Sequence, residues 1–501
     1  MSVAAEGALP REASKPQSAL QRFLASDSAV FTAMLLALGI YYLMPGLVSA
    51  AVGGAVFFVL TLLRPNLSLA TVPLAAPLFY RQRAFVISAD HTLYFSLAEF
   101  IIMSSIVAWV LRDGWTFLRR DKADGSISPP RSVSKLLMDP ASALRNPSIF
   151  AAIFLLIGVL WLFIPPGIIR NVALREFRVT VFEPVLYFAL ILRWARTPAD
   201  LWRIAGAWLV AAALVGREAV AQYVLGQAAL MEGVGRATSV FPSATALGIY
   251  LGKALPLSLT LFVFLPSTAK WKPWRIACGL FSLVIGLGVV ASFARGAWIG
   301  VFVAMALVAI IARHKWLLAA LGAAILGGVA ALPFINITRI TSAFDFSTED
   351  NTGVARAKIW AAALRIIKDH PITGIGQDQF LYADPSYGVP QLRFFTTSHP
   401  HDWILDFWLR LGLPGLLWIL ALLVFFFRHT YSLWTQLRGT AAGALVLGLM
   451  ASMIDFAVHG LLDMAYFTMD SALTFWTIIG IVTIVDRFKR SEANSALDLY
   501  D

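Results

Sequence analysis

Apolar runs recur along this chain at the length of a lipid bilayer, and that spacing excludes most soluble folds. A helix crossing a hydrocarbon core of about 30 Å needs about 20 residues, with ~17 as a practical minimum. Runs that reach or approach this length begin near Ala29, Leu47, Leu67, Leu93, Ile149, Val179 and Leu201. They begin again near Ala244, Ile276, Trp298, Trp316, Trp403, Ala441 and Ser471. Prolines interrupt the third and sixth runs (Pro73, Pro77 and Pro184). The expected fold is an all-α polytopic membrane protein with about fourteen transmembrane helices. Charged residues make up only 14% of the chain, against about 25% in soluble domains. The single cysteine, Cys278, excludes an intrachain disulfide framework.

A formal net charge of +11 would point to nucleic acid in a soluble protein. Here it tracks topology, because short cytoplasmic loops retain Lys and Arg. With a cytoplasmic N-terminus, the scheme places inside Arg64, the basic stretch from Arg112 to Arg145, and Arg193 with Arg196. It does the same for Lys270 to Arg275, Arg313 with Lys315, Arg428 with Arg438, and Arg487 to Arg490. The expected organisation is a cytoplasmic tail over 1–28, a transmembrane bundle over 29–334, a large external loop over 335–402, further transmembrane helices over 403–486 and a cytoplasmic tail over 487–501. A loop that long between tight connections usually folds and carries function.

Four polar clusters fall on the external side of this scheme. Arg236 precedes a helix opening near Ser243, and Arg295 occupies the sharp turn of "SFARGAWIG". In the large loop, Val354, Ile359, Leu364 and Ile367 mark a surface helix that ends before Pro371, Gly374 and Gly376. Arg356 and Trp360 share one face of that helix, four residues apart. The last cluster is "SHPHDW", with His399, His401 and Asp402 at the threshold of an apolar run. Each has an ordinary reading: arginines snorkel to lipid phosphates, the loop helix lies at an interface, and Asp402 caps the helix that follows. Together they fit one chemistry. Guanidiniums suit phosphate oxygens, and a neutral histidine can accept a proton near pH 7. No H-E-x-x-H, cysteine pair or dense carboxylate cluster is present, and Asp345, Glu349 and Asp350 read as loop solvation. A reaction without metal or cofactor is the expectation.

The motifs "SFARGAW", "R-x3-W…HP-x-x-G-I-G" and "SHPHDWILDFWLRLGLPG" resemble the O-antigen ligase and polymerase family, over roughly Arg236 to Gly415. Members are inner-membrane glycosyltransferases of the GT-C type that move a glycan from undecaprenyl diphosphate to a saccharide hydroxyl on the external face. The resemblance implies that Arg295 and Arg356 contact the diphosphate and that His401 activates the acceptor. His399 would be its neighbour, and Gly374 and Gly376 would shape the turn beneath the site. It also implies a bacterial cytoplasmic membrane location, a lipid-linked donor, a saccharide acceptor and no nucleic acid. Two departures stand out. Asp402 occupies a position where asparagine is usual, and could either orient His401 or cap the helix. "PSAT" replaces the common "NPN" after Arg236, which stays a candidate diphosphate ligand. Ligase and polymerase are not separable from these residues.

A transporter or flippase is the alternative, with Glu99, Glu183 and Asp455 as intramembrane acids and Arg178 as a structural partner for Glu183. His459 and Asp463, at the outer end of the penultimate run, read first as helix-capping or interfacial residues, with lining of the acceptor side as the alternative.

Overall fold

The computed structural model describes residues 19–88, 91–120, 146–231, 234–331, 352–389 and 398–497. The acidic group Asp345, Glu349 and Asp350 lies outside them, as do the basic residues between Lys122 and Arg145. Helices dominate. In chain order the longer ones are α1 (Asp27–Leu43), α2 (Leu47–Leu63), α3 (Leu97–Arg120), α4 (Pro147–Leu160) and α5 (Glu183–Trp194). Next come α6 (Pro198–Val224), α7 (Ala244–Phe264), α8 (Lys272–Ser292), α9 (Arg295–Ile311) and α10 (Lys315–Ala331). The loop helix is α11 (Thr352–Asp369), followed by α12 (Trp403–Gln436), α13 (Ala441–His459) and α14 (Met469–Leu497). Two antiparallel hairpins, β1 (Arg83–Ser88) with β2 (His91–Phe95) and β3 (Ala229–Met231) with β4 (Val234–Arg236), are the sheet among the described residues.

Among the described residues, six helices are long and apolar enough to cross a membrane: α6, α7, α8, α12, α13 and the Met469–Ser491 part of α14. Five more apolar helices are shorter: α1, α2, α4, α9 and the Lys315–Gly327 part of α10. This is a multi-pass, mostly helical membrane protein. Fourteen spans are not shown among the described residues, and the two proline-interrupted runs do not form single helices. Residues near Leu67 form two short α-helical pieces and a 3-10 turn (Pro65–Ser68, Thr71–Ala75 and Ala76–Tyr80) instead of one helix. Near Val179 a π-helical turn, Phe177–Phe182, precedes α5, with Pro184 in the first turn of α5. There Arg178 joins Glu99 (2.6 Å) and Glu183 (2.8 Å), so two of the three intramembrane acids share one guanidinium.

Several ion pairs gather at one end of the bundle. Asp27 pairs with Arg64 and Arg203, Arg112 reaches the Leu62 carbonyl, and Arg193 bonds Asp113 at 2.9 Å. Arg487 meets the Leu192 carbonyl at that same end. The residues singled out above at positions 236, 295, 356, 399 and 401 attach to the opposite ends of their helices.

Close packing brings the central helices together. Gly216 of α6 and Gly288 of α8 face each other so closely that a Cβ on Gly288 would sit 2.8 Å from the Gly216 Cα, the small-residue contact typical of membrane bundles. Aromatic rings fill the interior between α4, α12 and α14, with Phe154 stacked on Trp418 at 4.0 Å and Trp476 beside both.

Helix α12 is broken at Gly412 (φ 65, ψ −170), two residues before Pro414. The break exposes backbone groups that bilayer lipid could not satisfy. The segment after α11 satisfies them: Leu413 N donates to the Ile372 carbonyl at 3.0 Å, and Ile375 N and Gly376 N both donate to the Leu409 carbonyl. Gly374 (φ 59) turns the chain so tightly that any Cβ would collide with the Trp408 and Leu409 carbonyls. "HPITGIG" and "LRLGLPG" are thus two halves of one joint, which pins the segment after α11 to the bundle.

Gly412→Ala must place a Cβ against the Ile372 carbonyl at a backbone conformation open essentially to glycine alone. A loss of about 3 kcal/mol is expected, read as a lowered unfolding temperature of the detergent-solubilised protein. An unchanged midpoint would refute the joint.

Candidate functional site

Asp463, on the segment between α13 and α14, is the point where the separate clusters meet. Its Oδ1 accepts a hydrogen bond from His401 Nδ1 at 2.9 Å and another from its neighbour's amide, Met464 N, at 2.9 Å. Its Oδ2 lies 3.3 Å from an Arg356 guanidinium nitrogen, and His399 Nε2 lies 3.8 Å from Oδ1. Burial acts to raise the Asp463 carboxyl, but His401, His399 and Arg356 outweigh it and hold the group well below the usual carboxylate range. Asp463 is therefore a carboxylate, which only accepts; Nδ1 of His401 carries the proton. In neutral His401 the lone pair then belongs to Nε2.

His401 is held by its backbone as well. It adopts the left-handed region (φ 54), uncommon for a residue with a Cβ. The Trp360 indole donates to the preceding carbonyl, Pro400 O, at 2.9 Å. On the other side, Trp403 N donates to Gly460 O at 2.9 Å, and its indole to Ala457 O at 3.1 Å. The helix that carries Trp360 also carries Arg356, on the shared face that their spacing predicts. The rest of that helix differs from expectation in one position. Ile359 and Ile367 are buried, but Leu364 is 54% exposed, because the core-facing stripe runs through Ala355, Ala362, Ala363 and Ile366.

Arg295 and Arg236 come from the other side. The β3–β4 hairpin docks on the turn between α8 and α9: Ala237 N donates to Ala291 O at 3.0 Å, and Arg236 Nε donates to Ser292 O at 3.0 Å. The turn itself is sharp because Phe293 is left-handed (φ 49) and Ser292 Oγ accepts the Ala294 amide. Arg295 then opens α9, at a helix N-terminus whose dipole favours anions and not cations. Burial, reinforced by nearby Arg295 and Arg356, pushes the Arg236 guanidinium down to about 10. Arg356 pairs with Asp463, while Arg236, Arg295 and Arg356 act on one another electrostatically. Arg356 Nε is buried and has no hydrogen-bond partner among the described residues. The arrangement suits an oxygen-rich anion.

His399 packs its ring against His401 (centroids 4.2 Å apart) and meets Ser398 Oγ at 3.0 Å. Burial, then His401, pushes it down to about 4. Asp402 caps α12, accepting Ile404 N at 2.8 Å and Leu405 N at 3.0 Å; the carboxylate that orients His401 is Asp463. Gly374 and Gly376 sit at the α12 joint, about two turns of helix along from His401. Beneath the histidine, Arg410 of α12 gathers Asp406 (2.6 Å), Glu176 (3.0 Å) and Asp378 (3.5 Å), tying the loop to the bundle a second time.

The donor atoms of His399, His401 and Asp463 lie within 4.8 Å of one another, a spacing and donor set that a divalent ion can use. The surrounding charge opposes a cation, because Arg356 already occupies Asp463 and the other two arginines add fixed positive charge. From the sequence, Asp463 reads first as a capping or anchoring residue and only secondly as a lining of the acceptor side; its central place is not foreseen. The available signal was a carboxylate one turn beyond His459, which is weak without the fold.

The site and bundle define a multi-pass membrane protein with an arginine-lined, histidine-bearing site at one end. A family model described as O-antigen ligase matches residues 279–420, so over this stretch the chain carries the signature of that family. The matched stretch includes Arg295, Arg356, His399 and His401 but not Arg236 or Asp463. It supports a glycosyltransferase of the O-antigen ligase or polymerase type in general terms. No curated protein matches the chain.

Neutral burial of His399 sets a pH dependence. The unfolded chain takes up a proton near pH 6.5 and the folded one only near 4, so stability rises with pH across that window, by at most about 1.4 kcal/mol per unit. His399→Gln is expected to flatten the acid side of a plot of unfolding temperature against pH between roughly 6.5 and 4. An identical slope in the variant would contradict it.

Proposed function

We propose that this protein is a metal-independent, inverting glycosyltransferase. It transfers a glycan from undecaprenyl diphosphate to a saccharide hydroxyl at the external face of a bacterial cytoplasmic membrane. The observation that carries the reading is the His401–Asp463–Arg356 constellation, which joins a proton acceptor to an anion-binding group through one carboxylate.

In this reading His401 Nε2 removes the proton of the acceptor hydroxyl, and the oxygen attacks the anomeric carbon from the face opposite the leaving group. The bond from that carbon to the diphosphate oxygen breaks, and the electron pair leaves with the lipid diphosphate. Arg295 and Arg356, with Arg236 behind them, stabilise the charge that grows there. Such groups act through the difference between transition state and ground state. Asp463 fixes the ring orientation and tautomer of His401 and favours the imidazolium that forms, a division of labour familiar from other base–carboxylate pairs. A single displacement inverts the anomeric configuration.

Transfer from a lipid diphosphate-linked oligosaccharide in reconstituted membranes tests this. His401→Ala is expected to lower the rate by at least about 10²-fold, and Asp463→Asn to lower kcat with a smaller effect on donor KM. A chelator should leave the wild-type rate unchanged. Equal conversion by wild type and His401→Ala would remove the base assignment. If donor crosses the bilayer without any transfer, a translocation role replaces this one.

A further inference from the structure

The lysine in "GIYLGKALPL" has no part in the reading above, yet it is the most costly residue in its helix. Lys253 lies ten residues past the Ser243 cap of α7, about 15 Å along the helix axis, and is 3% exposed. An ammonium at such depth is expensive and marks a specific need. Its Nζ donates to the Ala465 carbonyl at 2.9 Å and to Ser471 Oγ at 2.8 Å. Asp470 and Asp455 act on it electrostatically, and both carboxyl oxygens of Asp455 are buried without a hydrogen-bond partner among the described residues.

The partner carbonyl explains the need. Ala465 stands two residues after Asp463, on the connection between α13 and α14. For Lys253 to reach it, that connection must descend into the bundle instead of lying over it. Non-helical backbone at such a depth survives only where its polar groups find partners inside the protein. The connection has several. Gly460 O takes Trp403 N, and the Tyr466 hydroxyl donates to Thr180 O at 3.0 Å while accepting the Trp476 indole. The charged tether among these is Lys253.

We propose that Lys253 is a positioning residue for the transfer reaction. By holding the Ala465 carbonyl inside the bundle it sets the depth of Asp463, and through Asp463 the ring of His401. The inference rests on the glycosyltransferase reading for its catalytic consequence, but its structural half stands apart from that reading. Loss of the tether loosens Asp463 from His401 and slows the chemical step. It leaves Arg356 charged and able to hold the donor, so the loss falls on kcat and not on donor KM.

Lys253→Met removes both hydrogen bonds and also strips Asp455 and Asp470 of their counter-charge, so it can fail simply by not folding. The triple variant Lys253→Met, Asp455→Asn, Asp470→Asn removes the tether without stranding a charge. In reconstituted membranes with lipid diphosphate-linked oligosaccharide, the triple variant is expected to unfold near the wild-type temperature. Its kcat should fall at least tenfold, with donor KM within about twofold of wild type. Hydrogen exchange of the 460–468 segment should be at least tenfold faster than in wild type. A triple variant with wild-type kcat and unaltered exchange would make Lys253 a counter-charge only and overturn the proposal. If wild type itself transfers nothing, the glycosyltransferase reading fails; unchanged exchange in the triple variant then still rejects the tether, and faster exchange retains it.

Discussion

One carboxylate, Asp463, is shared between an imidazole and a guanidinium, and the geometry of the whole site follows from that sharing. His401 comes from the start of α12, Arg356 from the loop helix α11, and Asp463 from the connection between α13 and α14. A hydrogen bond of 2.9 Å on one oxygen and an ion pair of 3.3 Å on the other leave little freedom for any of the three elements. Because the group is buried, a stranded partner would carry a desolvation cost of several kcal/mol. The site holds together as a unit for that reason. Its surroundings serve the same end: Trp360 grips the chain before His401, Trp403 grips it after, and both grips are hydrogen bonds from indoles that also fill space.

A second constraint operates one level below. The break in α12 at Gly412 would be untenable in lipid, and the turn at Gly374–Gly376 repairs it. Continuous helices need no outside partner for their backbone; a broken one does. The break thus docks the segment that follows α11 and carries α11, with Arg356 and Trp360, to the entrance of α12. Arg410 adds charge to the same joint by gathering acids from α12, the loop and the segment before the π-turn. The flaw in the helix is therefore what places the loop.

Much of this was readable in the residues. The apolar runs announced a membrane bundle, and Arg64, Arg112, Arg193 and Arg487 do gather at one of its ends. The shared face of Arg356 and Trp360 followed from helical spacing alone, as did the end of α11 before Pro371. Other features were not readable. The runs near Leu67 and Val179 contain prolines, which signal interruption but not what replaces the helix; one became short pieces and the other a π-turn. Asp402 read most simply as a cap, with partnership to His401 as the alternative, and the positions of Ile404 N and Leu405 N decide for the cap.

Local rules determine what neighbouring residues do to one another, and the sequence by itself determined that much: the helices, their polar ends, and the glycine turns. Hydropathy, helical period and φ restrictions act over a few residues and leave their mark in the order of the chain. The tertiary structure alone decided which carboxylate meets His401. Asp463 is 62 residues away, and Lys253, which holds its segment, is 212 residues from Ala465. Contacts over such separations depend on how helices pack and how deep a connection descends. Those are set by the close approach of glycines, by aromatic volumes and by the satisfaction of buried backbone groups, none of which has a period that a reader of the chain could follow.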